Sequence, residues 1–402
     1  MSCLGSRNLE RKSAPLFIPD PESAPVAGLL PQVPESALPV SRPVPVSSLT
    51  LVAAGDNLFH EPLIKAFKGE DGYNFAPIYE MVTPIIAGAD LAFINQETVL
   101  GRESFGYSGY PRFNTPQALA KNLADVSFDI INQANNHVMD KGEEGIRDTI
   151  AVWDGIPGAT YLGIHRSREE RDNRKIVIEK NGIRIGFLAY TYGTNGLLLP
   201  RDKPYLVSLI DRKTMSAEIG ALRPLCDFLV VSMHWGEEYT LDPSAEQTAL
   251  AEFLAKEEVD LVIGHHPHTL QPQAYIPRPG GKQMLCFYSL GNFMSGQIRT
   301  ETLFGGLMYV KLSKKDGNTT IADTGIIPVI THYEQGFTGF RVYPLYQYTG
   351  ELIKKHRSYH EKTGLNLNAI NSALNKLNAK LFMDNPFAPA PAEELPVTAA
   401  VP

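Results

Sequence analysis

The sequence predicts a layered α/β fold, and three observations carry that reading. Strand-sized apolar runs recur along the chain, helix-patterned stretches lie between them, and polar residues gather where the runs end. The 402 residues are 43% hydrophobic and 20% charged, enough to bury one large core, or one core with an appendage. The formal net charge of −7 argues against a phosphate-binding basic surface and excludes nucleic acid as the main partner. No apolar run approaches the roughly 18 residues of a membrane-spanning helix. Collagen-like, coiled-coil and wholly disordered classes are excluded by composition.

Taken in order, residues 1–47 read as a tether: residues 13–46 hold nine prolines with neither helical nor alternating period. A domain is expected over 48–349. Its strand-like runs are Leu49–Ala54, Leu91–Asn95, Phe128–Asn132, Arg184–Tyr190, Phe228–Met233, Val259–Ile263, Met284–Ser289 and Leu307–Leu312. Amphipathic stretches at Pro77–Ala87, Glu143–Trp153 and Ser244–Lys256 read as helices. Apolar strands without strict alternation are strands covered on both faces, so the sheets should be sandwiched by helices. Ile321–Thr331 and Gly339–Tyr346 read as late strands, 350–382 as a helical appendage and 383–402 as a loose Pro/Ala-rich tail.

Three cysteines give no disulfide framework. Cys226 and Cys286 lie in apolar runs and read as buried thiols. Cys3, ahead of the proline-rich stretch, has two readings: the lipid-bearing cysteine of an exported surface lipoprotein, or a stray cysteine of a cytoplasmic protein.

The chemistry gathers at the strand ends, where open α/β folds place their sites. The first ends in Gly55-Asp56-Asn57-Leu58-Phe59-His60, the second in Asn95-Gln96-Glu97-Thr98 and the third in Asn132-Gln133-Ala134-Asn135-Asn136-His137. Later runs end in His234-Trp235-Gly236-Glu237, Gly264-His265-His266-Pro267-His268 and Gly291-Asn292. One such ending is an ordinary turn, and one histidine is an ordinary hydrogen-bonded residue. Carboxylates, amides and imidazoles recurring together suit a divalent metal such as Mn, Fe or Zn, and the lack of cysteine argues against a structural zinc site. His266 and His268, two apart on an irregular loop, can converge on one centre. Asn136 and His137 have two readings. Asn136 coordinates through its oxygen while His137 serves as an acid, or both cap the helix that starts near Gly142.

These endings, with YPRFNTP, NNHVMDKG, YTYGTNG, HWGEEY, GHHPHTLQP and FYSLGNF, resemble the CapA family of poly-γ-glutamate capsule synthesis proteins. That family is related to the calcineurin-like metallophosphoesterases, and the resemblance runs from about Ser48 to about Gly306. It implies a four-layer α/β/β/α sandwich with the site across the strand tips. It implies Asp56, Glu97, Asn136, His234, His266 and His268 as ligands of one or two ions, with Glu97 in the bridging position. His137 takes the place of the catalytic histidine, and His265 stands behind the ligands. One departure is visible. Metallophosphoesterases begin with Asp-x-His, and Leu58 holds the histidine's place, with His60 two residues too late.

The resemblance implies a surface-tethered protein of poly-γ-glutamate synthesis or export. Its partners would be an anionic polymer or phosphoester and a membrane polymer-synthase complex, with membrane contact only through a lipid on Cys3. An active metal-dependent phosphoesterase or amidase unrelated to capsule is the alternative. A binding protein on a dead enzyme fold would have no reason to keep so many polar strand tips.

Overall fold

A computed structural model describes residues 46–360, 365 and 382–388. Cys3, most of the expected tether, most of the 350–382 appendage and residues 389–402 lie outside the described residues.

In chain order, β1 (Ser47–Leu58) leads to α1 (Glu61–Ala66), a small hairpin of β2 (Lys68–Gly69) and β3 (Gly72–Tyr73), α2 (Ala76–Tyr79) and α3 (Thr83–Ile86). Next come β4 (Leu91–Gln96), α4 (Ala118–Asp125), β5 (Ile130–Asn132), α5 (Gly142–Asp154) and β6 (Thr160–Leu162). A second group follows: α6 (Arg168–Asn173), β7 (Val177–Lys180), β8 (Ile183–Thr191), α7 (Arg212–Leu222), β9 (Phe228–His234) and α8 (Ala245–Lys256). It is completed by β10 (Leu261–His265), β11 (Gln273–Pro277) and β12 (Gln283–Phe287). The chain then returns through β13 (Asn292–Ser295), β14 (Phe304–Lys315), β15 (Asn318–Glu334), β16 (Thr338–Pro344) and α9 (Gly350–Lys355).

The first sheet has the order β16-β15-β14-β1-β4-β5-β6, with β13 pairing the end of β1; the second has the order β11-β12-β10-β9-β8-β7. Strands β1, β4, β5 and β6 are mutually parallel, as are β8, β9, β10 and β12. Antiparallel strands flank both parallel blocks.

Three apolar layers show how the sheets are stacked. Along β1, Leu49, Leu51 and Ala53 point into a core shared with Phe187, Val230, Leu261 and Leu285 of the second sheet. Val52 and Ala54, on the opposite face, pack under helix residues including Ile85, Leu119, Ile146 and Trp153. On the second sheet Leu229, Val231 and Val262 turn outward to Met215, Ile219, Leu250 and Leu254 of α7 and α8. The strand period of two thus feeds two apolar layers per sheet, which is the helix–sheet–sheet–helix sandwich. Local signals start the outer helices: Ser244 and Gln247 form a capping box on α8, and the Asp211 side chain accepts from Thr214 N on α7.

The structure departs from expectation in places. Pro77–Ala87 is two short helices rather than one, because Pro84 has no N–H to donate and its ring disfavours a continuous helix. Cys226 and Cys286 are buried free thiols, as expected. Residues 382–388, expected at the end of a helix and the start of a loose tail, lie against the first sheet. Phe382 bridges Ile326, Met383 N donates to Ile326 O, and the Phe387 ring meets Tyr309.

Candidate metal centre

Parallel strands deliver their C-terminal ends to one edge, so the ends of β1, β4 and β5 bring Asp56, Glu97 and Asn136 together. Strand β9 and the turn after β10 bring His234, His266 and His268 from the facing sheet. All six are buried, Asp56, Glu97 and His234 completely. They form two groups of candidate ligand atoms, Glu97–His234–His266 and Asp56–Glu97–His268, and Glu97 belongs to both. Glu97, for which the resemblance implies a bridging role, is the one residue the two groups share. The positive φ angles of His266 (99°) and His268 (58°) mark an irregular turn that aims both rings inward.

Asp56 is held on every side. Asn95 Nδ2 donates to its Oδ1 at 2.8 Å, and Asn132 Nδ2 donates to Asn95 Oδ1 at 2.8 Å, a buried relay across adjacent strands. His266 N approaches Asp56 Oδ2 at 3.3 Å and His268 Nδ1 at 3.1 Å. Burial alone would raise the Asp56 carboxyl, but the neighbouring His265 and His268 imidazoles outweigh it and hold the group well below the usual carboxylate range.

Glu97 is the opposite case. Both carboxylate oxygens are buried without a hydrogen-bond partner among the described residues. Its Oε1 lies 3.5 Å from His234 Nε2 and 3.7 Å from His268 Nε2. Burial, and then the charge of Asp56, push its carboxyl well above the ordinary value. Burial holds His234 well below the usual imidazole range, and burial with the neighbouring His268 holds His266 down to about 3. Their neutral rings therefore keep a lone pair for a cation, and the His266 Nδ1 atom has no protein partner among the described residues. A buried carboxylate facing neutral imidazoles with no donor of its own is what divalent-metal ligands look like before the ion is counted. The residues fit the group.

Asn136 Oδ1 lies 2.9 Å from His234 Nε2, on the Glu97–His234–His266 side. His137 is oriented separately: its Nδ1 meets Asp140 Oδ2 at 2.8 Å, and its ring packs edge-on to Phe113 at 4.6 Å. The capping alternative does not hold. Lys141 stands at the start of α5 and no side chain caps it, so neither Asn136 nor His137 does. His265 stacks on Phe93 at 5.8 Å, with Nδ1 3.5 Å from Asp56 Oδ1, behind the ligands. Leu58 is buried opposite Ser295, and His60 accepts from Gly296 N through Nδ1 and joins neither ligand group.

Four contributors escaped the sequence reading as functional residues: Asp140, Asn95, Tyr192 and Asn195. Asp140 stands three residues after His137 inside NNHVMDKG, and that spacing on a turn was the available signal. Tyr192 and Asn195 come from the loop after β8, inside the YTYGTNG motif, and that motif was the available signal.

Two facing sheets with helices outside both, and a polar cluster across the strand tips, define the metallophosphoesterase-like class of fold. Comparison with known proteins narrows this. Residues 50–297 match the model of the family described as bacterial capsule synthesis protein PGA_cap, and the chain belongs to that family. It is 29% identical over 291 residues to the capsule biosynthesis protein CapA of Bacillus anthracis, covering 70% of this chain and 67% of the relative. It is 30% identical over 245 residues to the PGA biosynthesis protein CapA of Bacillus subtilis, covering 59% of this chain and 61% of the relative. Among solved structures it is similar to the calcineurin-like phosphoesterase YfkN from Bacillus subtilis, with a TM-score of 0.43 and 14% identity over 83% of this chain and 97% of that one.

Proposed function

We propose that the protein acts on an anionic poly-γ-glutamate-type polymer during its synthesis or export, through a two-ion centre of hydrolase type. The names of the Bacillus relatives support the polymer. Glu97 supports the chemistry: a buried carboxylate without a hydrogen-bond partner, shared by two sets of imidazoles, is a costly arrangement without cations beside it. Asp56, Glu97 and His268 would hold one ion, and Glu97, Asn136, His234 and His266 the other. Bound there, divalent ions would supply Lewis-acid polarisation of a scissile carbonyl or phosphoryl group.

The chain's own residues do the rest. Asn132 and Asn95 fix the Asp56 carboxylate. Asp140 engages His137 Nδ1 and leaves Nε2 as the nitrogen that carries a proton to a departing atom. The Phe113 ring packs nearly perpendicular to that ring, and the Phe113 N–H donates to Asp140 Oδ2 at 2.7 Å, so the acid and its partner are locked together. The ligand set suits phosphoester hydrolysis equally well, so a phosphoesterase without a capsule role is the second reading.

The test is metal content first and turnover second. Purified protein should carry Mn, Fe or Zn by mass spectrometry, and Glu97→Ala and the His266→Ala/His268→Ala pair should lose it with circular dichroism unchanged. Metal content equal to wild type in both variants would overturn the centre. With Mn²⁺ added, release of new termini from γ-glutamate oligomers, and not from a chromogenic phosphodiester, separates the first reading from the second.

A further inference from the structure

The loop after β8 places Tyr192 and Asn195 against the centre. Asn195 Oδ1 accepts from Asn136 Nδ2 at 3.2 Å and from the Tyr192 hydroxyl at 3.3 Å, and Asn195 Nδ2 lies 3.5 Å from His137 Nδ1. Asn195 sits at φ 50°, in the left-handed region that asparagine tolerates better than most residues. The Tyr192 hydroxyl is also within hydrogen-bond reach of Asn136, and its ring lies 4.6 Å from that of His266.

An asparagine side chain is nearly symmetrical in shape and opposite in chemistry at its two ends. Only the oxygen can face a cation, and hydrogen bonds rather than shape decide which end points where. In the protein alone, His234 Nε2 can donate to Asn136 Oδ1 across 2.9 Å and so favours the correct orientation. A ring nitrogen that ligates an ion has no proton left to donate, so that bond ends when the ion enters. What then keeps the Asn136 oxygen inward is the grip on its other end. Asn195 Oδ1 supplies that grip, and Tyr192, donating to the same oxygen, holds Asn195 in place.

Resting on the two-ion reading above, we infer that Asn195 is a positioning residue that holds the Asn136 amide with its oxygen toward His234 and His266. It thereby governs occupancy of that ion position and not of the Asp56–Glu97–His268 position. The YTYGTNG motif contains it, but its link to Asn136 spans fifty-nine residues and two sheets.

Metal-free full-length protein titrated with Mn²⁺, with the free ion read by electron paramagnetic resonance, tests this without any substrate. Wild type should take up two ions per chain. Asn195→Ala should weaken one of them about 10–100-fold, the usual effect of losing a residue that orients a ligand, and leave the other at wild-type affinity. Asn195→Asp keeps the acceptor oxygen and should restore the weakened position. Tyr192→Phe should weaken the same position by less. Asn195→Ser, which shortens the acceptor's reach, is the second variant should the alanine protein not fold, and it should weaken that one position too. Unchanged binding of both ions in Asn195→Ala or Asn195→Ser, or equal weakening of both, overturns the inference. Wild type that holds fewer than two ions overturns the two-ion reading itself, and the inference falls with it.

Discussion

His137 and Asp140 are buried and 2.8 Å apart through Nδ1 and Oδ2, and neither belongs to a ligand group. In the proposed function, proton delivery and metal holding therefore fall to different residues. His137→Ala should lower turnover about 10²–10⁴-fold, the scale of general acid–base help, at unchanged metal content. Asp140→Asn should act in the same direction with a smaller loss, because the ring stays but loses its charged partner. Metal lost from His137→Ala would make that residue a ligand and sink the assignment. At this scale the polar cluster was legible, because its residues follow strand-like runs, and the family resemblance picked the proposed ligands out of it. Asp140 and Asn195 were not. Both lie inside motifs, NNHVMDKG and YTYGTNG, but what they touch, an imidazole across a turn and an amide from another sheet, shows only in the folded chain.

At the scale of elements, close backbone approach holds the strand ends in register. A Cβ on Gly55 would come within 2.0 Å of Gly291 O, the carbonyl that accepts from Asp56 N at 2.8 Å where β13 joins β1. Gly55→Ala must push two strands apart and should cost about 1–3 kcal/mol or more in urea unfolding. Gly220→Ala is the contrast. It is exposed in α7 with nothing within 4 Å of the added methyl, so it should stabilise by about 0.5–1 kcal/mol. Equal effects from the two substitutions would show that the β1–β13 contact yields easily. The long apolar strands were readable because each fills both faces with hydrophobic side chains. Edge strands β7 and β11, with exposed or half-buried residues along them, and three-residue β6 were not, since so short or mixed a run has no periodicity to detect. Helices α4 and α7 were missed for a different reason: each buries only three residues, a narrow stripe in a polar background.

At the scale of the whole molecule, the centre joins the two sheets. Asp56, Glu97 and Asn136 come from one, and His234, His266 and His268 from the other. That the sheets face each other was not legible from the residue pattern, which shows strands covered on both sides and not what covers them; the family likeness supplied it. The joint has a thermodynamic consequence. Without cations, burial and the nearby Asp56 charge disfavour an ionised Glu97 and push its carboxyl well above the ordinary value. Ions that bind only the folded chain stabilise it by about 2.7 kcal/mol at one hundred times their dissociation constant. For a domain of this size that is a rise in Tm of about 5 °C. Glu97→Gln removes the ionisable group and keeps its shape, so the metal-free variant should melt at or above the temperature of metal-free wild type at neutral pH. It should gain almost nothing from Mn²⁺, because the carboxylate shared by both groups is gone. The two melting curves should therefore cross: the variant is the more stable protein without the ion, and wild type the more stable with it. A functional site that sacrifices stability behaves in this way, whereas a structural carboxylate would leave the variant weaker in both conditions. Differential scanning calorimetry in chelator and in Mn²⁺ reads all four values, and a wild-type Tm indifferent to the ion would mean that the buried glutamate serves the fold alone.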